Sequence, residues 1–434
     1  MPGTVKLMEE LHSRYGRLPW GGLFKPAFDL AEEGFPVSQR LASAIGEARE
    51  LDRFTATRNH FFRQDGSALI EGDLLHSPHF ARTLRLIAAE GSEPFYHGSI
   101  ARDIAAAVAT EINPGIMTLE DLAGYEVRER PAVCQHYRAY EVCGMGPPSS
   151  GGLTVGQMLG MLSAFDLPTL GDTPETTHLF LEAGKLAFAD RGKFMADSDF
   201  VDMPGGLLDG VYLANRAAMI DPLHVMEAPA LAGEPPWEDA QHYAPDQDRP
   251  NFGTTHFVIV DSYGDMLSAT TTIETGFGSR VMTGGFLLNN ELTDFAFVPE
   301  VDGAPVANRV EGGKRPRSSM APTIVLRGGE PVLLIGSPGG ANIIPYVAGA
   351  LVGILDFGLD PQTAVDRPHA LNLNGPTRVE VGEGAEALTE ALAEFGHEAE
   401  MVDLNSGLQA IVIRTDGSLA GGADRRREGL VLGN

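Results

Sequence analysis

Gly253-Thr254-Thr255-His256 places a hydroxyl residue directly in front of a run of β-formers, Thr255-His256-Phe257-Val258-Ile259-Val260-Asp261. If the peptide bond between Gly253 and Thr254 is cut, Thr254 becomes an N-terminal nucleophile. Its free α-amine titrates near neutral pH and takes the hydroxyl proton without any histidine, so one scission assembles nucleophile and base together. The run turns at Ser262-Tyr263-Gly264-Asp265 and returns as Met266-Leu267-Ser268-Ala269-Thr270-Thr271-Thr272, which predicts an antiparallel pair.

Further motifs accompany it. Downstream stand Leu287-Leu288-Asn289-Asn290-Glu291-Leu292-Thr293-Asp294-Phe295, Lys314-Arg315-Pro316-Arg317-Ser318-Ser319-Met320-Ala321-Pro322-Thr323 and Gly336-Ser337-Pro338-Gly339-Gly340. Upstream are Pro2-Gly3-Thr4-Val5, Gly16-Arg17-Leu18-Pro19-Trp20, Gly146-Pro147-Pro148-Ser149-Ser150-Gly151-Gly152 and Phe188-Ala189-Asp190-Arg191, and near the end Gly422-Ala423-Asp424 and Arg427-Glu428-Gly429. In this order and spacing the set resembles the γ-glutamyltranspeptidases, a family of N-terminal nucleophile hydrolases, over essentially the whole chain.

The resemblance implies a site residue by residue. Thr254 attacks a γ-glutamyl amide, forming an acyl-enzyme that water or an amino acid or peptide acceptor resolves. Thr272 supports its hydroxyl. Gly339 and Gly340 turn amide N–H groups towards the developing oxyanion, where acyl transfer most needs donors. Glu291 and Asp294 receive the substrate α-amine, and Ser318 and Ser319 its α-carboxylate. Glu274 stands where the best-known transpeptidases carry asparagine. A third carboxylate strengthens amine binding while crowding negative charge, so substrate range is open.

Two further departures bear on the pocket. Measured against the family pattern the chain starts at Pro-Gly-Thr-Val, so the arginine that clamps the α-carboxylate is expected to be missing, and such a donor is worth about 2–5 kcal/mol. Arg280, in Phe277-Gly278-Ser279-Arg280, is a candidate substitute. The lid-like stretch from Ala296 to Gly313 is short and has no tyrosine, which implies an open site favouring hydrolysis. Two alternatives stay in view: a glutaryl- or cephalosporin-type acylase on the same scaffold, and an inactive, unprocessed relative.

Composition bounds the rest. At 434 residues and 43% apolar the chain can bury a large core, and its formal charge of -27 opposes nucleic acid and anionic lipid surfaces as partners. No apolar run is long enough to span a membrane, and Met1-Pro2-Gly3-Thr4 lacks the features of a signal peptide. The compartment is open. Cys134 and Cys143 either face each other across a hairpin at Tyr137-Arg138-Ala139-Tyr140 or stay buried thiols. His76 and His79 are three apart and His256 follows Thr255, but no third ligand with metal-like spacing joins them. No metal or cofactor is expected, and His256 is expected to pack or hydrogen-bond in its strand. Gly312-Gly313-Lys314 runs into Arg315-Pro316 and does not read as a phosphate loop.

The elements that must position these groups are punctuated by Pro and Gly. Helical patterns run over 7–15, 26–33, 78–89, 100–110 and 173–195, the last with Thr173 as N-cap and Pro174 at its first position. Strands are expected at 323–326 and 331–335 around Arg327-Gly328-Gly329-Glu330, and at 409–414 before Thr415-Asp416-Gly417-Ser418, with helices at 341–357 and 385–395 between them. The stretch from Pro222 to Pro250 reads as a mobile surface loop supplying slack beside Gly253. Hairpins with interposed helices predict an α+β layered fold, which the resemblance narrows to the four-layer αββα sandwich of the N-terminal nucleophile hydrolases. The expected parts are a helix-rich large-subunit-like region, 1–253, and a small-subunit-like region, 254–434, that remain associated after cleavage.

Overall fold

A computed structural model describes residues 1–238, 240–246 and 253–433. The chain forms two compact units, Met1–Glu129 with Thr272–Asn290, and Arg130–Thr271 with Glu291–Asn434. These boundaries differ from the peptide bond at which scission is expected, so residues 1–253 and 254–434 each contribute to both units.

The first unit is mainly helical, with helices at Thr4–Tyr15, Lys25–Glu33, Pro78–Glu90 and Ser99–Val108. Pro78 opens its helix in the pre-set φ of a first turn, and Gly91, at φ 72°, ends it where a side chain would be strained. One core gathers Ile87, Phe95, Tyr96, Ile100 and Ile104 with Leu288 and Phe286. A second packs Val37, Ile45, Leu51 and Phe61 with Phe277, Met282 and Leu287. The segment 272–290 is thus held by its apolar residues.

In the second unit, strands β1 (Val133–Tyr137), β2 (Tyr140–Gly144), β3 (Thr254–Val260), β4 (Met266–Thr272), β5 (Thr323–Arg327), β6 (Glu330–Gly336), β7 (Gln409–Ile413) and β8 (Leu419–Ala423) form two sheets. Six make an antiparallel sheet in the order β8-β7-β6-β5-β2-β1, and β3 pairs with β4. Helices α1 (Gly151–Leu162), α2 (Pro174–Phe194) and α3 (Ile343–Leu355) share one core with the large sheet. Leu159, Leu186, Val347 and Leu351 meet Val325, Leu333, Ile335 and Ala410 there. Side chains alternate along a strand, so Gly336 faces away from Ile335, and a Cβ on Gly336 would lie 2.2 Å from the His256 ring. Strand β3 therefore lies on the face opposite the helices. Helices, six-stranded sheet and a second sheet follow the layer order of the αββα sandwich, and the fold is α+β. The core draws on residues from both sides of Gly253, so a cut there leaves the packing that holds the two parts together.

Local chemistry explains most boundaries. Thr173 caps α2 by accepting from the Thr176 amide at 3.3 Å, with Pro174 in the first turn. The helix expected at 341–357 begins as a 3-10 turn, Gly340–Asn342, before α3. Cys134 and Cys143 are directly opposed in the β1–β2 register and form a disulfide, which decides between the two states left open by the sequence.

Residues 222–246 correct one expectation. The described ones, 222–238 and 240–246, are irregular, but their polar groups are tied to the fold: the amides of Met226 and Gly233 reach buried Glu182 and Asp190, each at 2.8 Å, and Ala230 exchanges bonds with Asn374. Trp237 packs against Phe194 and Tyr243. This is a strap fixed to α2 rather than a mobile loop. Residue 239 and the end of the expected loop, residues 247–250, lie outside the described residues.

Candidate active site

Thr254 is the first residue of β3 and is buried, 9% exposed, because the inward side of the strand pattern begins with it. Arg427 donates from Nη1 to the Thr254 carbonyl at 3.4 Å, while its Nε is shared between the carbonyl and Oδ1 of Asn405, both 3.0 Å. Gly407, two residues beyond Asn405, is wedged where a Cβ would stand 2.5 Å from Pro338 and 3.1 Å from Arg427. Its amide donates to Ser337 Oγ at 3.2 Å. Through this chain of contacts the turn carrying Arg427 joins Thr254 to the loop Ser337-Pro338-Gly339-Gly340.

That loop leaves β6 with a backbone only glycine adopts at ease. Gly339 has φ 140° and Gly340 φ 60°. A Cβ on Gly339 would sit 2.8 Å from Tyr346, so the position excludes a side chain on both counts.

His256, two residues on from Thr254, is buried on the same side of β3, and its Nδ1 is 2.9 Å from Thr270 Oγ1. Burial pushes its pKa down to about 3. It is a neutral packing residue. Folded His256 refuses a proton that the unfolded chain accepts below about pH 6.5. The unfolded state then binds more protons, so stability falls as pH drops below that value and is fully retained above it. Denaturant unfolding of the wild type is expected to lose about 2 kcal/mol more between pH 6.5 and 5 than that of His256→Gln. Equal losses would contradict the buried neutral state.

Ser318 and Ser319 are held by α1 and α2. Ser318 exchanges backbone bonds with Pro148 and Ser150 at 3.0 and 2.8 Å, and its carbonyl also accepts from Ser150 Oγ at 2.7 Å. A Cβ on Gly151 would fall 2.3 Å from the Met320 carbonyl, so the Ser-Ser-Gly-Gly motif exists for close backbone approach. Arg191, buried in α2, donates to Ser319 Oγ at 2.7 Å and to Ser150 Oγ at 2.8 Å. Glu291 and Asp294 are partly exposed on a 3-10 turn. Asn308, wholly buried, donates to the Asp294 carbonyl at 2.7 Å and accepts from the Arg317 amide at 3.0 Å, which links the acidic turn to the serine segment.

Thr272 and Glu274 belong to the first unit. The Glu274 amide donates to Thr272 Oγ1 at 2.8 Å, and Glu274, at φ 76°, occupies a conformation that costs a non-glycine residue strain. Its carboxylate receives Asn290 Nδ2, whose Oδ1 accepts from Thr275. Arg280 Nε donates to the Arg49 carbonyl at 2.8 Å, a structural contact within the same unit.

Sequence reasoning missed Arg427, Arg191 and Asn308 as positioning residues. The two arginines lie in motifs noted only for the resemblance; Asn308 gave no local signal. It also missed a buried cluster of His178, Glu182 and His397 with ligand atoms mutually within 4.8 Å. There Thr377 Oγ1, His397, His178 and the Asp221 carbonyl form a continuous hydrogen-bond chain, and Lys185 Nζ sits 2.7 Å from Glu182. The ring nitrogens and the carboxylate already have partners, so the cluster ties α2 to neighbouring loops.

The model for the family Gamma-glutamyltranspeptidase matches residues 1–433. The chain belongs to this family. It is 35% identical over 446 residues to the glutathione hydrolase proenzyme of Bacillus subtilis, covering 100% of this chain and 74% of that one. It is also 33% identical over 435 residues to the acylase ACY 1 proenzyme of a Pseudomonas strain, covering 99% and 74%. The solved cephalosporin acylase from Bacillus halodurans superposes with TM-score 0.86 at 28% identity, covering 100% of this chain and 77% of the other. Membership makes this gamma-glutamyltranspeptidase-family chain an enzyme of the N-terminal nucleophile hydrolase type. No helix among its described residues is long and apolar enough to cross a membrane.

Proposed function

We propose that this chain is cut between Gly253 and Thr254 and then hydrolyses or transfers γ-glutamyl groups, as from glutathione, through a Thr254 acyl-enzyme. The observation that carries the reading is Thr254 itself, buried at the start of a strand with its carbonyl held by Arg427. In scission the Thr254 hydroxyl attacks the Gly253 carbonyl, the C–N bond breaks to free the α-amine and leave an ester, and water hydrolyses that ester to the Gly253 carboxylate and the free Thr254 hydroxyl. In turnover Oγ attacks the γ-carbonyl while that amine takes the proton. Gly339 and Gly340 amides receive the oxyanion, the amine product leaves with the proton, and water or an amino compound attacks the ester. Thr272 is assigned support of the hydroxyl. Glu291 and Asp294 are assigned the substrate ammonium, with Glu274 as a third carboxylate, and Ser318 and Ser319 the carboxylate.

An acylase reading is favoured by one observation, the likeness to the acylase ACY 1 proenzyme and to the solved cephalosporin acylase. The substrates separate the two. A glutaryl anilide lacks the ammonium and leaves acidic groups uncompensated, so a γ-glutamyl anilide is expected to turn over faster; the reverse order would favour the acylase. Asp294→Ala is expected to raise KM for the γ-glutamyl anilide about 10- to 100-fold, leaving scission and the glutaryl reaction intact. An unchanged KM would remove Asp294 from the pocket.

A further inference from the structure

We infer that Arg191 is the positioning residue that gives the Ser318–Ser319 pair its preference for a carboxylate; this rests on the assignment of that pair in the proposed function. Arg191 is 1% exposed, and its single guanidinium reaches Ser319 directly and Ser318 through Ser150. Nη2 donates to Ser319 Oγ at 2.7 Å, and Nε donates to Ser150 Oγ at 2.8 Å. Ser150 in turn donates its own hydroxyl hydrogen bond to the Ser318 carbonyl at 2.7 Å.

The direction of these bonds follows from the donor inventory. A guanidinium only donates, so each hydroxyl it meets must accept and point its one proton elsewhere. For Ser150 that proton goes to Ser318. For Ser319 it is turned to the next acceptor, and with a buried cation behind the oxygen an anionic oxygen is the best-matched one. Arg191 is in turn fixed by Arg317, which donates to its carbonyl at 3.2 Å and reaches Asp246 at 3.2 Å. Lysine would keep the charge in the same helix but present a point donor that does not span both oxygens. The Arg191 fork thus supplies from inside the fold part of the selectivity that a cation in direct contact would give.

Three anilides test it: γ-glutamyl, glutaryl, which keeps the distal carboxylate without the amine, and 4-aminobutyryl, which keeps the amine without the carboxylate. Arg191→Lys is expected to lose about 10- to 100-fold in kcat/KM on the first two, mainly through KM, and to change the third by less than about threefold. Ser319→Ala should show the same pattern, and the double variant should be no worse than the more affected single one, because both remove one interaction. Equal losses on all three substrates, or additive losses, would overturn the inference. If Ser319→Ala spares the carboxylate substrates, the assignment of the serine pair fails. If it shows the pattern and Arg191→Lys does not, only the role of Arg191 fails. Should Arg191→Lys not accumulate as folded protein, Ser150→Ala, which deletes one hydroxyl of the relay, carries the test: a smaller loss confined to carboxylate substrates is expected, and unchanged preference overturns it.

Discussion

Thr254→Ala is expected to remain one full-length polypeptide and to lose at least about 10⁴-fold in turnover of γ-glutamyl anilides. Both effects have one cause. Alanine removes the oxygen that attacks the Gly253 carbonyl, so no new terminus forms, and without a terminus the α-amine that would act as base stays a peptide nitrogen. Packing should survive, since a methyl group remains on the inward side of β3 and the Arg427 bond is to the main-chain carbonyl, which the substitution keeps. Thr254→Ser keeps the hydroxyl and should still be cut, more slowly, because the missing methyl leaves the rotamer less restricted. A denaturing gel and terminal sequencing of the wild type read the outcome. A wild type that turns over with no chain beginning Thr-Thr-His, or a Thr254→Ala protein with substantial turnover, would remove Thr254 from its role.

Gly339→Ala carries the second large effect. The residue stands at φ 140°, a region closed to residues with a Cβ, and that Cβ would come within 2.8 Å of the Tyr346 ring. Tyr346 is buried in the core of the second unit and has little room to yield. The backbone must therefore rotate, and it is the Gly339 and Gly340 amides that rotate with it. Loss of one aligned oxyanion donor costs about 10²–10³ in kcat, and a fall of that size is expected with KM changed little. The thermal midpoint should fall as well, because the strain is paid in the folded state. A variant with normal kcat and a lowered midpoint would show that the glycine serves the turn alone.

The difference between what was legible and what was not follows the range of each interaction. Turn and cap chemistry is local. Thr173-Pro174 set the start of α2, Arg327-Gly328-Gly329-Glu330 the β5–β6 connection, and Ser262-Tyr263-Gly264-Asp265 the β3–β4 connection. Helix α1 was less legible, since Gly151, Gly152, Gly156 and Gly160 lower its helix propensity and it exists because tertiary packing requires small residues there. The strap formed by 222–238 and 240–246 was not legible because its bonds to Glu182, Asp190 and Asn374 leave no periodic trace.

The sequence by itself determined the chemistry on offer: a hydroxyl that one scission turns into a nucleophile with its own base, a glycine pair able to aim amides, acidic and hydroxyl groups suited to an amino-acid head, and the α+β class. The first and the last are properties of residue type and short spacing; the others come from the order and spacing of motifs that the family resemblance rests on. Only the tertiary structure decided that Cys134 meets Cys143 as a disulfide and that Arg427 holds the carbonyl of Thr254. The same is true of Arg191 behind Ser319 and of Asn308 between the acidic turn and the serines. Except for the disulfide, whose partners are near neighbours awaiting only a register, and the Asn308 links, which close a short loop, these contacts join residues far apart in the chain. Directional bonds between buried side chains depend on how layers stack, and no local pattern of residues encodes that.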